Sequence, residues 1–147
     1  MKKYLHVGCG NRRIAGFINT DKKQMDITQP WPYDDESMDG IVSMQVLQCL
    51  TWKELIFAFK EAHSVLKKGG VMRMGVNLVE TNYPLEKILY GANINLFSYD
   101  LLKNILVDRI GFSSIKLCKW RETVIPEFVQ VDSRHHRGSS YIEVTKQ

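Results

Sequence analysis

Apolar and polar residues alternate between two periods along this chain, and the changes of period mark out its elements. Short apolar runs bounded by turn residues predict β-strands near residues 4–9, 17–21, 38–44 and 71–76, with a weaker one at 25–28 and two more at 114–118 and 140–145. Between the third and fourth strong runs the spacing becomes helical. Phe57, Phe59, Ala62, Val65 and Leu66, preceded by Trp52, Leu55 and Ile56, recur at i, i+3 and i+4, Thr51 with Glu54 forms a capping-box pattern, and Gly69 serves as the expected stop. A second helix is predicted from Ser98 to about Ile110, ending at Gly111.

Strands alternating with helices predict an α/β fold built on one sheet. The helices are unevenly distributed. Only six residues separate Gly10 from Phe17, too few for the helical crossover that joins most parallel strands. Pro30 and Pro32 disfavour helix between Asp21 and Met38. The first half therefore connects its strands by loops. One sheet face there is expected to lack its usual cover, and an uncovered apolar face invites a partner, which makes a homodimer an expectation.

Composition narrows the class. The chain has 147 residues, 44% hydrophobic and 24% charged, as in an ordinary globular protein of one domain, here 1–147. No apolar run approaches a membrane span, and the first strand begins almost at Met1, so the expected location is cytoplasmic. Three dispersed cysteines, Cys9, Cys49 and Cys118, suggest neither a disulfide framework nor a metal site. The net charge of +4 hides two opposed blocks: residues 1–24 carry +5 and residues 25–51 carry −5. Overall basicity is thus no argument for nucleic acid. Arg12 and Arg13 are either solvated or face an anionic ligand.

The candidate chemistry lies where the first strands end. Tyr4 to Val7 runs into Gly8-Cys9-Gly10-Asn11, and the next strand-like runs are followed by Asp21 and by Asp26-Ile27. Glycine lets the backbone take positive φ and lets a ligand approach closely. A carboxylate at the end of the neighbouring strand can accept from both ribose hydroxyls. Together these features predict a nucleoside resting across strand ends.

The segment GCGNRR followed by Ile18-Asn19-Thr20-Asp21 resembles the first motif of compact class I S-adenosylmethionine-dependent methyltransferases. The match extends through Pro32-Tyr33-Asp34-Asp35-Glu36-Ser37-Met38-Asp39, through Val65-Leu66-Lys67-Lys68-Gly69-Gly70 and on to Ile110-Gly111-Phe112. The resemblance implies a doubly wound Rossmann-like sheet, mostly parallel with one antiparallel strand near the C-terminus, and S-adenosylmethionine as cofactor. It places Gly8, Cys9, Gly10 and Asn11 around the methionine moiety, Asp21 on the ribose, Asp26 and Ile27 at the adenine, and Met44 and Gln45 beside the cofactor. On the residues alone Asp26 is equally a turn cap, and Met44 is equally core. Where the compact family reads Glu-His after "VL", this chain has Gln48-Cys49, which removes an acid-base candidate.

The expected activity is methyl transfer to a hydroxyl, small metabolite or glycan, with nucleic acid disfavoured. A cofactor-binding protein without transferase activity is the alternative. An NAD-dependent oxidoreductase ranks below both, since GxGxxG requires glycine where Arg13 stands. The long connections 77–97 and 119–138 are candidate acceptor loops. Within the second, His135 and His136 are either a general base or a solvated turn. His6 and His63 read as structural, one inside a strand and the other on the helix.

Overall fold

A computed structural model of the chain describes residues 1–80, 95, 97–133 and 139–147. Six strands form one sheet: β1 (Tyr4–Val7), β2 (Phe17–Thr20), β3 (Met38–Met44), β4 (Leu66–Asn77), β5 (Ser114–Cys118) and β6 (Ser139–Thr145), in the order β2-β1-β3-β4-β6-β5. The first four strands in that order run parallel, and β6 is antiparallel to both neighbours. This is the doubly wound, mostly parallel arrangement with one reversed strand that the sequence predicts.

Alternation along the strands sorts side chains onto two faces. Leu5, Val7, Ile41, Met72, Met74, Val76, Ile142 and Val144 join the main core. Two helices supply its other half. Helix α1 (Trp52–Val65) buries Leu55, Ala58, Phe59, Ala62 and Val65, and its predicted capping box is present, with Thr51 Oγ1 accepting from the Glu54 amide while the Glu54 carboxylate accepts from the Thr51 amide. Helix α2 (Tyr99–Lys103) is capped by Ser98, continues as π-helix over Asn104–Ile110, and ends at Gly111 with φ of 104°.

The opposite face carries Tyr4, Val42 and Val71 in a second cluster, with Phe17 and Met44 packed against it. The expectation that this face is uncovered is corrected here. The connection after β5 folds back across it as a short 3-10 segment, Pro126–Ser133, whose Phe128 is fully buried and packs edge-on against Tyr4. Gly40 makes room for that ring, because a Cβ there would lie 2.5 Å from Phe128 Cζ. The cover is also pinned electrostatically. Arg73 and Glu143, both buried, pair at 3.0 Å across β4 and β6. The Arg73 guanidinium donates to the carbonyls of Lys119 and Glu122, while Glu143 Oε2 accepts from the Val124 amide. This face is thus covered by the chain itself, while Ile18, on the other face of the edge strand β2, stays exposed.

Two further expectations change. Residues 25–28 form turns, not a strand. Asp26 Oδ1 accepts from both the Thr28 amide and its hydroxyl, a local arrangement that competes with extended pairing. Gly69 does not end α1, which passes directly into β4 at Leu66. Its left-handed φ of 78° serves an irregularity inside that strand, where its amide donates to the Lys146 carbonyl. The predicted loops between β1 and β2 and between β2 and β3 contain no helix.

Candidate active site

The parallel register sets the site. Val7 is level with Thr20 on one side and with Ser43 on the other, so Gly8, Asp21 and Met44 leave the sheet side by side. The chain moves from β1 to β2 in one direction and later to β3 on the other side of β1, and a crevice opens at such a switch in strand order.

A cleft of about 290 Å³ occurs there, lined by His6, Gly8, Cys9, Asn11, Arg12, Ile14, Met44, Gln45 and Val131. Five of these, Gly8, Cys9, Asn11, Met44 and Gln45, are residues assigned to the cofactor from sequence. Gly8 and Gly10 have φ of 67° and 52°, the left-handed turn that glycine accommodates without strain. Their surroundings differ. A Cβ on Gly8 would lie 2.5 Å from Val46 Cγ2, whereas nothing lies within 4 Å of one on Gly10. The first glycine therefore allows close packing beneath the turn, and the second leaves open space above it. The Cys9 amide donates to the Thr20 carbonyl at 2.9 Å and ties the turn to β2. Burial raises the Cys9 thiol above its usual range, which keeps it protonated.

Gln45 also has a left-handed φ, 58°, and is not glycine. Such strain is found where surrounding structure fixes it, often at functional sites. Its amide nitrogen donates to Ser139 Oγ at 2.6 Å, its oxygen accepts from the Gln48 amide, and its backbone N–H bonds the Gly75 carbonyl. The residue is thus locked at the ends of β3, β4 and β6. Gln48, where the compact family carries its acid-base pair, is buried and engaged in this network, and the neighbouring Cys49 thiol is raised by burial. Neither is placed for proton transfer at neutral pH.

Asp21, Asp26 and Ile27 do not line the cleft, and neither does Gly10. Asp21 sits half-buried at the end of β2, with Oδ1 accepting from the Lys23 amide at 2.9 Å. Asp26 holds the Thr28 turn, and these hydrogen bonds keep its carboxyl below the usual range. Ile27 packs at the margin of the main core and accepts from Trp31 Nε1 through its carbonyl. His135 and His136 lie outside the described residues, as do Tyr83, Pro84 and Tyr90 of the earlier loop.

Sequence reasoning missed His6, Ile14 and Val131 as cleft residues and left Arg12 between solvent and an anionic ligand. His6 reads as an interior strand residue, and its alternation with Leu5 and Val7 was the one signal that it faces away from the main core. Val131 belongs to the covering segment, whose position only the folded chain determines. Among the described residues no cluster of His, Cys, Asp and Glu is arranged to hold a metal, and no helix is long and apolar enough to cross a membrane.

Comparison with known proteins agrees with this geometry. Residues 10–74 match a family model described as a methyltransferase domain. No curated protein matches the sequence. Among solved structures, an S-adenosylmethionine-dependent methyltransferase of Thermotoga maritima, described as a possible histamine N-methyltransferase, is 20% identical with a TM-score of 0.68, covering 100% of this chain and 83% of that one. An S-adenosylmethionine-dependent methyltransferase of Archaeoglobus fulgidus is 16% identical with a TM-score of 0.72, covering 99% and 86%. Phosphoethanolamine N-methyltransferase 2 of Haemonchus contortus, solved with phosphomonomethylethanolamine and S-adenosylhomocysteine, is 14% identical with a TM-score of 0.65, covering 99% of this chain and 49% of that one. The segment 10–74 is thus similar to a methyltransferase domain, and the chain as a whole has the fold of class I S-adenosylmethionine-dependent methyltransferases.

Proposed function

We propose that the chain transfers the methyl group of S-adenosylmethionine to a small acceptor, a hydroxyl-bearing metabolite or glycan, with the cofactor seated across the ends of β1, β2 and β3. The observation that carries this reading is the cleft at the switch in strand order, lined by Gly8 of a turn whose two glycines are left-handed and whose second, Gly10, has open space over it. In this reading Gly8, Cys9, Gly10 and Asn11 hold the methionine end, Asp21 takes the ribose diol, Asp26 and Ile27 meet the adenine, and Met44 and Gln45 flank the methyl. The sulfonium is an activated donor: the acceptor oxygen forms the new C–O bond as the S–CH₃ bond breaks, S-adenosylhomocysteine leaves, and the acceptor proton passes to base or solvent. Positioning alone lowers such a barrier substantially. His135 and His136 remain the sequence-based candidates for that base.

The second reading, a cofactor-binding protein that acts through a partner without transferring a methyl, is favoured by one observation. The Gln48-Cys49 position offers a buried amide and a protonated thiol in place of an acid-base pair. An NAD-dependent reading has less support, because no helix follows the glycine turn to present its N-terminus to a pyrophosphate.

The test begins with a thermal scan. S-adenosylmethionine or S-adenosylhomocysteine at about 100 times its dissociation constant stabilises by roughly 2.7 kcal/mol, a rise in Tm of about 5–11 °C. Stabilisation by NAD and by neither sulfur ligand refutes the cofactor assignment. Methyl-labelled cofactor offered with a panel of hydroxyl, amine and glycan acceptors then separates the two remaining readings, since a binding protein accelerates no turnover.

A further inference from the structure

The His6 side chain is buried, yet it lines the cleft at the glycine turn. One of its ring nitrogens is accounted for: Nδ1 lies 3.1 Å from Asn19 Oδ1. The orientation of the Asn19 amide is fixed by backbone groups on its own side of the loop. Its Nδ2 donates to the carbonyls of Ile14 at 2.9 Å and Phe17 at 3.0 Å, and its Oδ1 accepts from the Ile14 amide at 2.9 Å. Reversing the amide would set N–H against N–H at Ile14. Since Oδ1 only accepts, Nδ1 of His6 must carry the hydrogen, and in the neutral ring Nε2 is then a bare lone pair.

The cleft's lining supplies a reason for such an acceptor. Its charged residue is Arg12, and no carboxylate lines it among the described residues. The cofactor's methionine end brings an ammonium group that requires acceptors. The groups packed around the ring agree with a neutral state: Phe17 sits edge-on to it, the Arg12 charge disfavours an imidazolium, and burial does so more strongly.

We propose that His6 is a cofactor-holding residue, fixed by Asn19 as the Nδ1–H tautomer so that Nε2 accepts a hydrogen bond from the ammonium group of the cofactor's methionine end. The inference rests on the cofactor position proposed above and adds a side-chain contact to it. The loop between β1 and β2, in place of the helix that this crossover usually contains, then has a definite task. Through Asn19 it sets the proton on His6.

Two ligands separate the parts of this claim: S-adenosylhomocysteine, which has the amino-acid end, and 5′-methylthioadenosine, which lacks it. In ¹⁵N-labelled wild-type protein at pH 8, the His6 ring should show a protonated Nδ1 and a bare Nε2. Saturation with S-adenosylhomocysteine should move the Nε2 resonance, and saturation with 5′-methylthioadenosine should leave it in place. In calorimetry, His6→Phe should weaken S-adenosylhomocysteine about tenfold, as loss of a hydrogen bond to a charged group implies, while 5′-methylthioadenosine binds as before. His6→Gln, which retains an acceptor, should restore much of the loss. An Nε2–H tautomer, or an Nε2 resonance unmoved in the saturated S-adenosylhomocysteine complex, overturns the inference and leaves the cofactor site standing. Failure of both ligands to bind wild-type protein overturns the cofactor site itself, and the inference with it.

Discussion

Phe128 is the side chain on which the second face of the sheet depends, and its removal has a calculable cost. The ring is fully buried against Tyr4, with ring centroids 5.6 Å apart, and stands over Gly40 of β3. Truncating a buried Phe to Ala costs about 3–5 kcal/mol, the transfer term plus the cavity. At roughly 2.1 cal/mol/K of unfolding entropy per residue, a chain of this length should lose about 10–16 °C in Tm. Gly40 turns this into a test of geometry. In the wild type, Gly40→Ala puts a methyl 2.5 Å from Phe128 Cζ and should destabilise by about 1–3 kcal/mol through overpacking. With Phe128→Ala already present, the 2.5 Å contact is gone, the Ile125 Cδ1 methyl at 3.1 Å has room to shift into the vacated space, and a strand alanine is intrinsically favoured over glycine by roughly 0.5–1 kcal/mol. Gly40→Ala should therefore change sign between the two backgrounds, giving a coupling of at least about 1 kcal/mol in a double-mutant cycle. Urea unfolding of the four proteins measures it. Additive effects, or a loss below about 1 kcal/mol for Phe128→Ala, would show that segment 126–133 does not cover the sheet in solution.

Four further outcomes are expected. Gly8→Ala combines a left-handed backbone with a Cβ 2.5 Å from Val46 Cγ2, so it should lower Tm and abolish detectable S-adenosylhomocysteine binding in calorimetry. Asp21→Ala should leave the fold intact and weaken the same ligand by at least about 1.5 kcal/mol if its carboxylate holds the ribose diol; unchanged affinity would remove it from the site. Arg73→Met strands the Glu143 carboxylate in the interior and should cost about 3–5 kcal/mol in urea unfolding, whereas Arg73→Met with Glu143→Leu should recover much of that. Burial, chiefly, holds the His6 imidazole below its ordinary 6.5, with Arg12 adding to the effect and the Asn19 bond opposing it. The unfolded chain therefore binds a proton that the folded one refuses, so this contribution to stability is complete above pH 6.5 and falls as pH drops toward the folded value. Unfolding measured from pH 8 to pH 5 should show a shallower acid loss in His6→Gln, with His63, also lowered by burial, retaining part of the slope.

How much of this was legible beforehand depends on the range of the interaction concerned. The strands around Leu5, Ile18, Ile41 and Met72, the capping box at Thr51 and the stop at Gly111 are set by neighbours in the chain, and local pattern reports them directly. So is the glycine turn, because its left-handed backbone is a demand that residues 8 and 10 meet by themselves. The weak strand at 25–28 failed for a local reason of opposite sign, since Asp26 satisfies the Thr28 amide within two residues. Gly69, expected as the stop of α1, is instead a left-handed position inside β4, because its use depends on Lys146, far away in sequence. What only the tertiary structure decided is the second face. Phe128 finds Gly40, Arg73 finds Glu143, and Val131 reaches the cleft across separations that no periodicity encodes. His6 belongs with these. Its spacing places it on a strand, but its tautomer and its access to the cleft depend on an asparagine 13 residues on, held by a loop that closes only when β1 and β2 pair.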